Sequence, residues 1–133
     1  MKGGGLLRSP AGAVVAVLGA AGTAHFVLPQ SFDPIVPKWM PGSPRLVTYV
    51  SGAVELAAAL LVANTRTRRL GGIVALATFI SVYPANIQAA LDGGYKGFKP
   101  PFNSAATAWL RLPLQIPLFW LAWRVIRDSL VEQ

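Results

Sequence analysis

Four long apolar stretches divide the chain, and few charged residues interrupt them. They lie at about 11–28, 46–63, 70–91 and 105–126. A helix needs roughly 20 apolar residues to cross a hydrocarbon core about 30 Å thick. Each stretch is close to that length. The pattern therefore predicts an all-α polytopic membrane protein, with a single domain over residues 1–133 built as a four-transmembrane-helix bundle.

The connections after the first and third stretches are rich in proline and aromatic residues. The first connection (28–44) reads LPQSFDPIVPKWMPGSP and contains five prolines. The second connection (93–104) reads GGYKGFKPPFNS. Proline interrupts helices, and Trp and Tyr concentrate at membrane–water interfaces. Both connections are predicted to be extracytoplasmic loops, which either anchor the bundle at the interface or cover a cavity between the helices.

Composition and charge exclude several classes of protein. The chain is 53% hydrophobic and only 13% charged, whereas a soluble domain carries about a quarter charged residues. It has no cysteine and one histidine, which excludes disulfides, thiolate sites and metal sites built from several histidines. The net charge of +7 comes mainly from basic residues at the ends of apolar stretches. That distribution is typical of membrane topology and not of a nucleic-acid-binding face.

The distribution of Lys and Arg predicts the orientation. Seven basic residues fall on one side and four on the other; the seven are Lys2, Arg8, Arg66, Arg68, Arg69, Arg124 and Arg127. Cytoplasmic segments carry the basic excess, so we expect a multi-pass protein of the cell inner (plasma) membrane with both termini cytoplasmic. The first stretch is too long for the usual signal-peptide core. Its small residues at Gly12, Ala16, Ala20 and Gly19 suit close helix packing.

Each apolar stretch carries one polar residue in the half nearest the two proline-rich connections. These residues are His25, Glu55, Asn86 and Arg111. A charge near the centre of a membrane helix costs about 2.5–3.5 kcal/mol on insertion scales, so Glu55 requires a partner. Arg111 is predicted to be that partner, because a guanidinium can bind a carboxylate with two hydrogen bonds.

Helical spacing extends this polar set. Ser51 precedes Glu55 by one turn, and Gln115 follows Arg111 by one turn, so the members of each pair share a face. Pro84 should release a backbone carbonyl near Ile80 for a polar partner. The predicted ligand-binding site or polar network comprises His25, Tyr49, Ser51, Glu55, Tyr83, Asn86, Arg111 and Gln115. Such residues either fix helix order or form a ligand or proton site open to the outer leaflet.

The chain resembles the DoxX-like family of small four-helix integral membrane proteins. The resemblance covers residues 11–126 and rests on four segments in order: GTAHFVLPQSFDPIVPKWMP, YVSGAVELAAALLV, VYPANIQAAL and LRLPLQIPLFW. It implies that the family's polar positions fall on His25, Glu55, Asn86, Arg111 and Gln115. It also implies an auxiliary subunit of a membrane redox or stress-related complex, with a quinone as the candidate cofactor or ligand.

Three functions are compatible with the sequence. The first is binding of a quinone or a lipid-like hydrophobic molecule beside Glu55 and Arg111, in a lipid membrane and with partner proteins or a second copy. The second is a structural or assembly partner without a ligand. The third is a small proton-coupled transporter, against which the neighbouring Arg111 and the charge bias argue. No arrangement of nucleophile, base and acid is evident, so enzymatic activity is left open, with Glu55 and His25 as the acid–base candidates.

Overall fold

The computed structural model describes residues 9–131, and no strand occurs within that range. The chain is all-α, as predicted. Its helices are α1 (Pro10–Val27), α2 (Pro29–Phe32), α3 (Pro44–Ala63), α4 (Arg68–Leu91) and α5 (Ala105–Val131). A 3-10 turn, Asp33–Ile35, follows α2 within the first connection.

The ends of the long helices are set by side chains that bind free backbone groups. Ser9 accepts a hydrogen bond from the N–H of Gly12, and Ser43 accepts one from the N–H of Leu46, each at 3.1 Å. A proline follows each serine at the first helical position, where its missing N–H has no cost. At the other end of α3, the Arg68 Nε donates to the carbonyl of Val62 at 2.8 Å. This contact satisfies a terminal carbonyl and fixes the tight turn into α4.

Three helices, α1, α3 and α4, are long and apolar enough to cross a membrane. The longest helix, α5, is not among them. Arg111 and Gln115 interrupt its apolar run, together with Pro113 and Pro117, and lower its mean hydropathy. Residues 9–131 therefore contain three candidate membrane-spanning helices by length and composition, where the sequence pattern predicts four.

The long helices pack side by side in the cyclic order α1, α3, α4, α5, and α5 also packs against α1. One buried apolar cluster joins all four, with Val14, Leu18, Val62, Phe79 and Val125 at its centre. The outward faces are also apolar, and their exposed large side chains include Val17, Leu60, Leu70, Ile80 and Leu114. A continuous exposed apolar surface of this kind indicates association with a membrane.

The helices α1 and α3 approach each other closely at two glycines, Gly22 and Gly52. A Cβ added to Gly52 would lie 2.7 Å from the Cβ of His25, and one added to Gly22 would lie 3.0 Å from the carbonyl oxygen of Gly52. The two backbones are therefore in contact, as small residues allow in membrane helices. His25 and Glu55 each follow one of these glycines by three residues. The crossing consequently sets the distance between the two side chains.

The small-residue stripe predicted for packing of the first helix is buried at Gly12 but is largely exposed farther along the helix. Ala16 and Ala20 are exposed. A Cβ added to Gly19 would have no neighbour within 4 Å. The packing face of α1 instead runs through Gly22, on the side that also carries the buried Val14 and Leu18.

The two connections touch each other on the same side of the molecule. A Cβ on Gly97 of the second connection would overlap the backbone carbonyl of Ser31 in the first. Phe32 and Phe98 also meet edge to face, with ring centroids 5.3 Å apart. The connections thus form a joint layer over one end of the helices.

Replacing Gly52 by alanine tests the helix crossing. The new methyl group would press on His25, and overpacking of this kind costs about 1–3 kcal/mol. We expect Gly52→Ala to lower the free energy of unfolding by that amount, measured by SDS titration of the purified protein followed by circular dichroism. Gly19→Ala is the matched control, and it should leave stability unchanged or slightly higher. Equal losses in the two variants would contradict the close contact.

Candidate functional site

A cavity of about 250 Å³ lies beneath the first connection, between the ends of the helices. Five of the predicted site residues line it: His25, Ser51, Glu55, Asn86 and Arg111. Each comes from α1, α3, α4 or α5. The cavity therefore brings together polar residues from all four long helices.

The first connection provides an apolar cover for this cavity. The contributing side chains are Phe32, Ile35, Val36, Pro37, Trp39 and Met40. The Phe32 ring stacks on the His25 ring, with centroids 4.0 Å apart and an angle of 21° between the planes. The cover is thus held against a side chain of the polar set itself.

Glu55 is buried beside His25. Its side chain is 9% exposed, and its Oε2 lies 3.2 Å from the Nδ1 of His25. That nitrogen also lies 2.6 Å from the carbonyl oxygen of Ala21. Because a carbonyl can only accept, the Nδ1 proton is directed to Ala21 and not to Glu55. The 3.2 Å separation between this nitrogen and the Glu55 Oε2 is therefore a close polar contact without a hydrogen bond.

The carboxylate of Glu55 consequently lacks a donor. Its buried Oε2 has no hydrogen-bond partner, and no residue between 9 and 131 donates to the other oxygen. A buried acceptor left without a donor costs about 1–3 kcal/mol. Glu55 is therefore an unsatisfied acceptor that lines a cavity.

The predicted ion pair between Glu55 and Arg111 is wrong. Within the described chain, no carboxylate oxygen lies within 4.0 Å of the Arg111 guanidinium. Arg111 lies instead over the ring of Tyr95, 5.2 Å from its centroid. The cyclic helix order explains the error, because α3 and α5 are on opposite corners and do not pack together. Arg111 affects Glu55 only through its charge at longer range.

A second set of polar side chains is fully hydrogen bonded. The Asn86 Nδ2 donates to the Gln115 Oε1 at 2.6 Å, and the Gln115 Nε2 donates to the carbonyl of Phe79 at 2.9 Å. The Tyr95 hydroxyl donates to the Asn86 Oδ1 at 3.0 Å. The accepting carbonyl, that of Phe79, is one residue before Ile80. Pro84 was predicted to leave the backbone carbonyl near Ile80 without its helical hydrogen bond. These bonds join α4, α5 and the second connection.

Three residues predicted for the site lie outside the cavity. Gln115 belongs to the second, hydrogen-bonded set. The Tyr83 hydroxyl donates to the carbonyl of Leu112 at 3.2 Å and so also joins α4 to α5. Tyr49 is 37% exposed and stacks on Phe26 at 5.4 Å. The predicted set is therefore divided between a cavity and structural contacts.

Asp33 fastens the cover to α3, a role that the sequence pattern did not predict. The Thr48 hydroxyl donates to its Oδ1 at 2.7 Å, and the Arg45 Nε donates to its Oδ2 at 2.8 Å. The hydrogen bond from Thr48, supported by that from Arg45, lowers the pKa of Asp33. Asp33 is the one acidic residue of the first connection. Its position as a single acidic residue among prolines and apolar residues could have indicated that it binds a neighbouring helix.

Tyr95 was also not assigned to the site. Its side chain is buried, at 3% exposure. Burial raises the pKa of its hydroxyl, and the nearby Arg111 opposes that effect. The hydroxyl remains protonated at neutral pH and is therefore a donor to Asn86. The sequence placed Tyr95 among interfacial aromatic residues, and nothing in its spacing indicated burial.

Loss of the Asp33 charge should loosen the cover. Because its pKa is lowered, the contacts stabilise the fold fully above the ordinary aspartate value of 3.8 and are lost as the pH falls through the lowered value. We expect Asp33→Asn to raise hydrogen exchange of residues 29–40 at pH 7. Wild-type protein should show the same increase only at acidic pH, once the pH dependence of the intrinsic amide exchange rate has been corrected for. Asp128→Asn is the control, and unchanged exchange in Asp33→Asn would contradict the role.

A family model described as a domain of unknown function (DUF8561) matches residues 14–126. The match extends from α1 into α5 and includes both connections and every residue that lines the cavity. No curated protein and no solved structure matches the chain.

Proposed function

The chain belongs to the DUF8561 family, and we propose that it is an integral membrane protein that binds a quinone or another lipid-like amphipathic molecule. The observation that supports this most directly is the carboxylate of Glu55, which lines a cavity and receives no hydrogen bond from the described residues. Intramembrane ionisable groups are rare and are associated with function. A bound head group would supply the missing donor.

The chemistry of the lining defines the head group. The Glu55 oxygens receive no hydrogen bond from the described residues, so the side of the ligand that meets them carries a hydroxyl, a phenol or another donor. Arg111 also lines the cavity, and a guanidinium only donates. The side that meets Arg111 therefore carries an acceptor, such as a carbonyl or an ether oxygen. A partly reduced quinone ring or a glycerol-type head group has both.

The size of the cavity favours a head group over a whole lipid. Its volume of about 250 Å³ is below the roughly 300–1,000 Å³ of sites for drug-sized ligands. Ser81 and Pro84 of α4 line it and are also exposed on the outer surface of the helix. An apolar tail would leave the cavity past these two residues and lie among acyl chains.

The proposed topology has four transmembrane helices, with α5 as the fourth. Its outward side chains Leu110, Leu114 and Ile116 are more than half exposed, as expected for contact with lipid. The basic excess supports insertion in the inner (plasma) membrane with both termini cytoplasmic. The two connections are then extracytoplasmic, and the exposed Trp39 lies at head-group level.

The resemblance to the DoxX-like family extends the proposal to a cellular role. On that basis the chain is an auxiliary subunit of a membrane redox or stress-related complex, and it works with partner proteins or with a second copy of itself. The cavity supports the part of this role that requires a ligand.

A structural or assembly role without a ligand is the second candidate. The observation that favours it is the closed hydrogen-bonded set of Asn86, Gln115 and Tyr95. Polar groups that satisfy one another hold membrane helices together and require no ligand. Proton-coupled transport is the third candidate, and gradient-driven uptake into vesicles that Glu55→Gln abolishes would support it.

Native mass spectrometry from mild detergent, with identification of bound lipids and quinones, tests the main proposal. We expect the wild-type protein to carry an amphipathic molecule. Hydrogen bonds to charged groups are worth about 1.5–3 kcal/mol, so Glu55→Gln should weaken its binding by about tenfold or more. Asp128→Asn, a carboxylate near the other end of α5, is the matched control and should retain the ligand.

Two results would overturn ligand binding at Glu55. One is a wild-type protein that binds no quinone or lipid-like molecule at any detergent concentration that preserves the fold. The other is equal binding by wild type and Glu55→Gln. A variant that only lowers yield, with no bound molecule in either protein, would favour the assembly role.

A further inference from the structure

A second and larger cavity lies on the other side of the first connection. Its volume is about 660 Å³, within the roughly 300–1,000 Å³ typical of small-molecule sites. Residues 34–39 form one wall, and the C-terminal end of α4 with the start of the second connection forms the other. This outer cavity shares residues 35–37 and Trp39 with the inner one, but it does not include Glu55 or His25. A ligand bound there therefore needs neither of these two polar side chains.

Two lysines line the outer cavity from opposite walls. Lys38 lies in the first connection and Lys96 in the second. Both are exposed, and neither forms an ion pair with a carboxylate of residues 9–131. Two unpaired cations that converge on one cavity favour an anion between them.

One acid also faces this cavity. Asp92 lines it, and its Oδ1 accepts a hydrogen bond from the Gln88 Nε2 at 3.0 Å. The charged lining is therefore two cations and one partly engaged anion, which leaves a net positive charge. The remaining wall is apolar, with Ile35, Val36 and Trp39.

We propose that the outer cavity binds the phosphate head group of an anionic phospholipid. A phosphodiester would lie between Lys38 and Lys96, and its glycerol and first methylene groups would contact the apolar wall. Trp39 belongs to that wall and is 72% exposed, as is typical of tryptophan at head-group depth. The two lysines favour an anionic ligand, the apolar wall favours a ligand with attached methylene groups, and Trp39 places the cavity at the membrane interface. Together these features favour a phospholipid as the source of the phosphate.

Titration with dihexanoyl phosphatidylglycerol, followed by native mass spectrometry from a non-ionic detergent, tests this proposal. A lysine near a membrane surface contributes about 1 kcal/mol to binding of anionic lipid, which corresponds to about fivefold in affinity. We expect Lys38→Gln and Lys96→Gln each to weaken binding about fivefold. Asp92→Asn should strengthen it severalfold, because it removes the opposing charge.

Two control variants distinguish binding in the outer cavity from a general effect of surface charge and from binding at Glu55. Lys99→Gln removes a charge from the same connection at a residue that does not line the cavity, and it should leave binding unchanged. Glu55→Gln should also leave it unchanged, so that failure of the function proposed for the inner cavity would not affect this result.

Three outcomes would overturn the proposal. The first is equal affinity for dihexanoyl phosphatidylcholine, which would remove the need for a net negative charge. The second is equal loss in Lys99→Gln and in the two lining variants. The third is full displacement of the lipid by an equal concentration of inorganic phosphate, which would show that the lipid part contributes nothing.

Discussion

The contact between Gly22 and Gly52 determines the geometry of the inner cavity. It brings the backbones of α1 and α3 together and so places His25 next to Glu55. Phe32 then stacks on the His25 ring and holds the first connection over the helix ends. The polar site and its cover thus depend on two residues that have no side chain.

The polar residues of the helices divide into two groups with different consequences. Asn86, Gln115 and Tyr95 satisfy one another, and a closed network of this kind contributes to one defined arrangement of α4 and α5. Glu55 is different, because its carboxylate has close neighbours but no donor. The first group accounts for packing, whereas packing alone does not explain Glu55.

The sequence pattern predicted the helices well, because stretches of apolar residues depend only on local composition. It also placed His25, Glu55, Asn86 and Arg111 at a common end. The partner of Glu55 was predicted incorrectly, because depth in the membrane does not reveal which helices are neighbours. Helix order depends on close contacts such as that of Gly22 with Gly52. The sequence contains thirteen glycines, and nothing in it distinguishes these two as contact residues. The role of Asp33 was missed for a related reason, since its partners lie on a helix well separated from it in sequence.

The position of His25 has a consequence for biosynthesis. Synthesis proceeds from the N-terminus, so in the proposed membrane topology α1 and α3 reach the bilayer before α4 and α5 are complete. The imidazole that lies beside Glu55 belongs to the helix that has already been inserted. In that topology α3 meets the imidazole before α4 and α5 are complete, although His25 donates no hydrogen bond to the carboxylate of Glu55. A partner on α5 would have left that carboxylate exposed to acyl chains until translation ended.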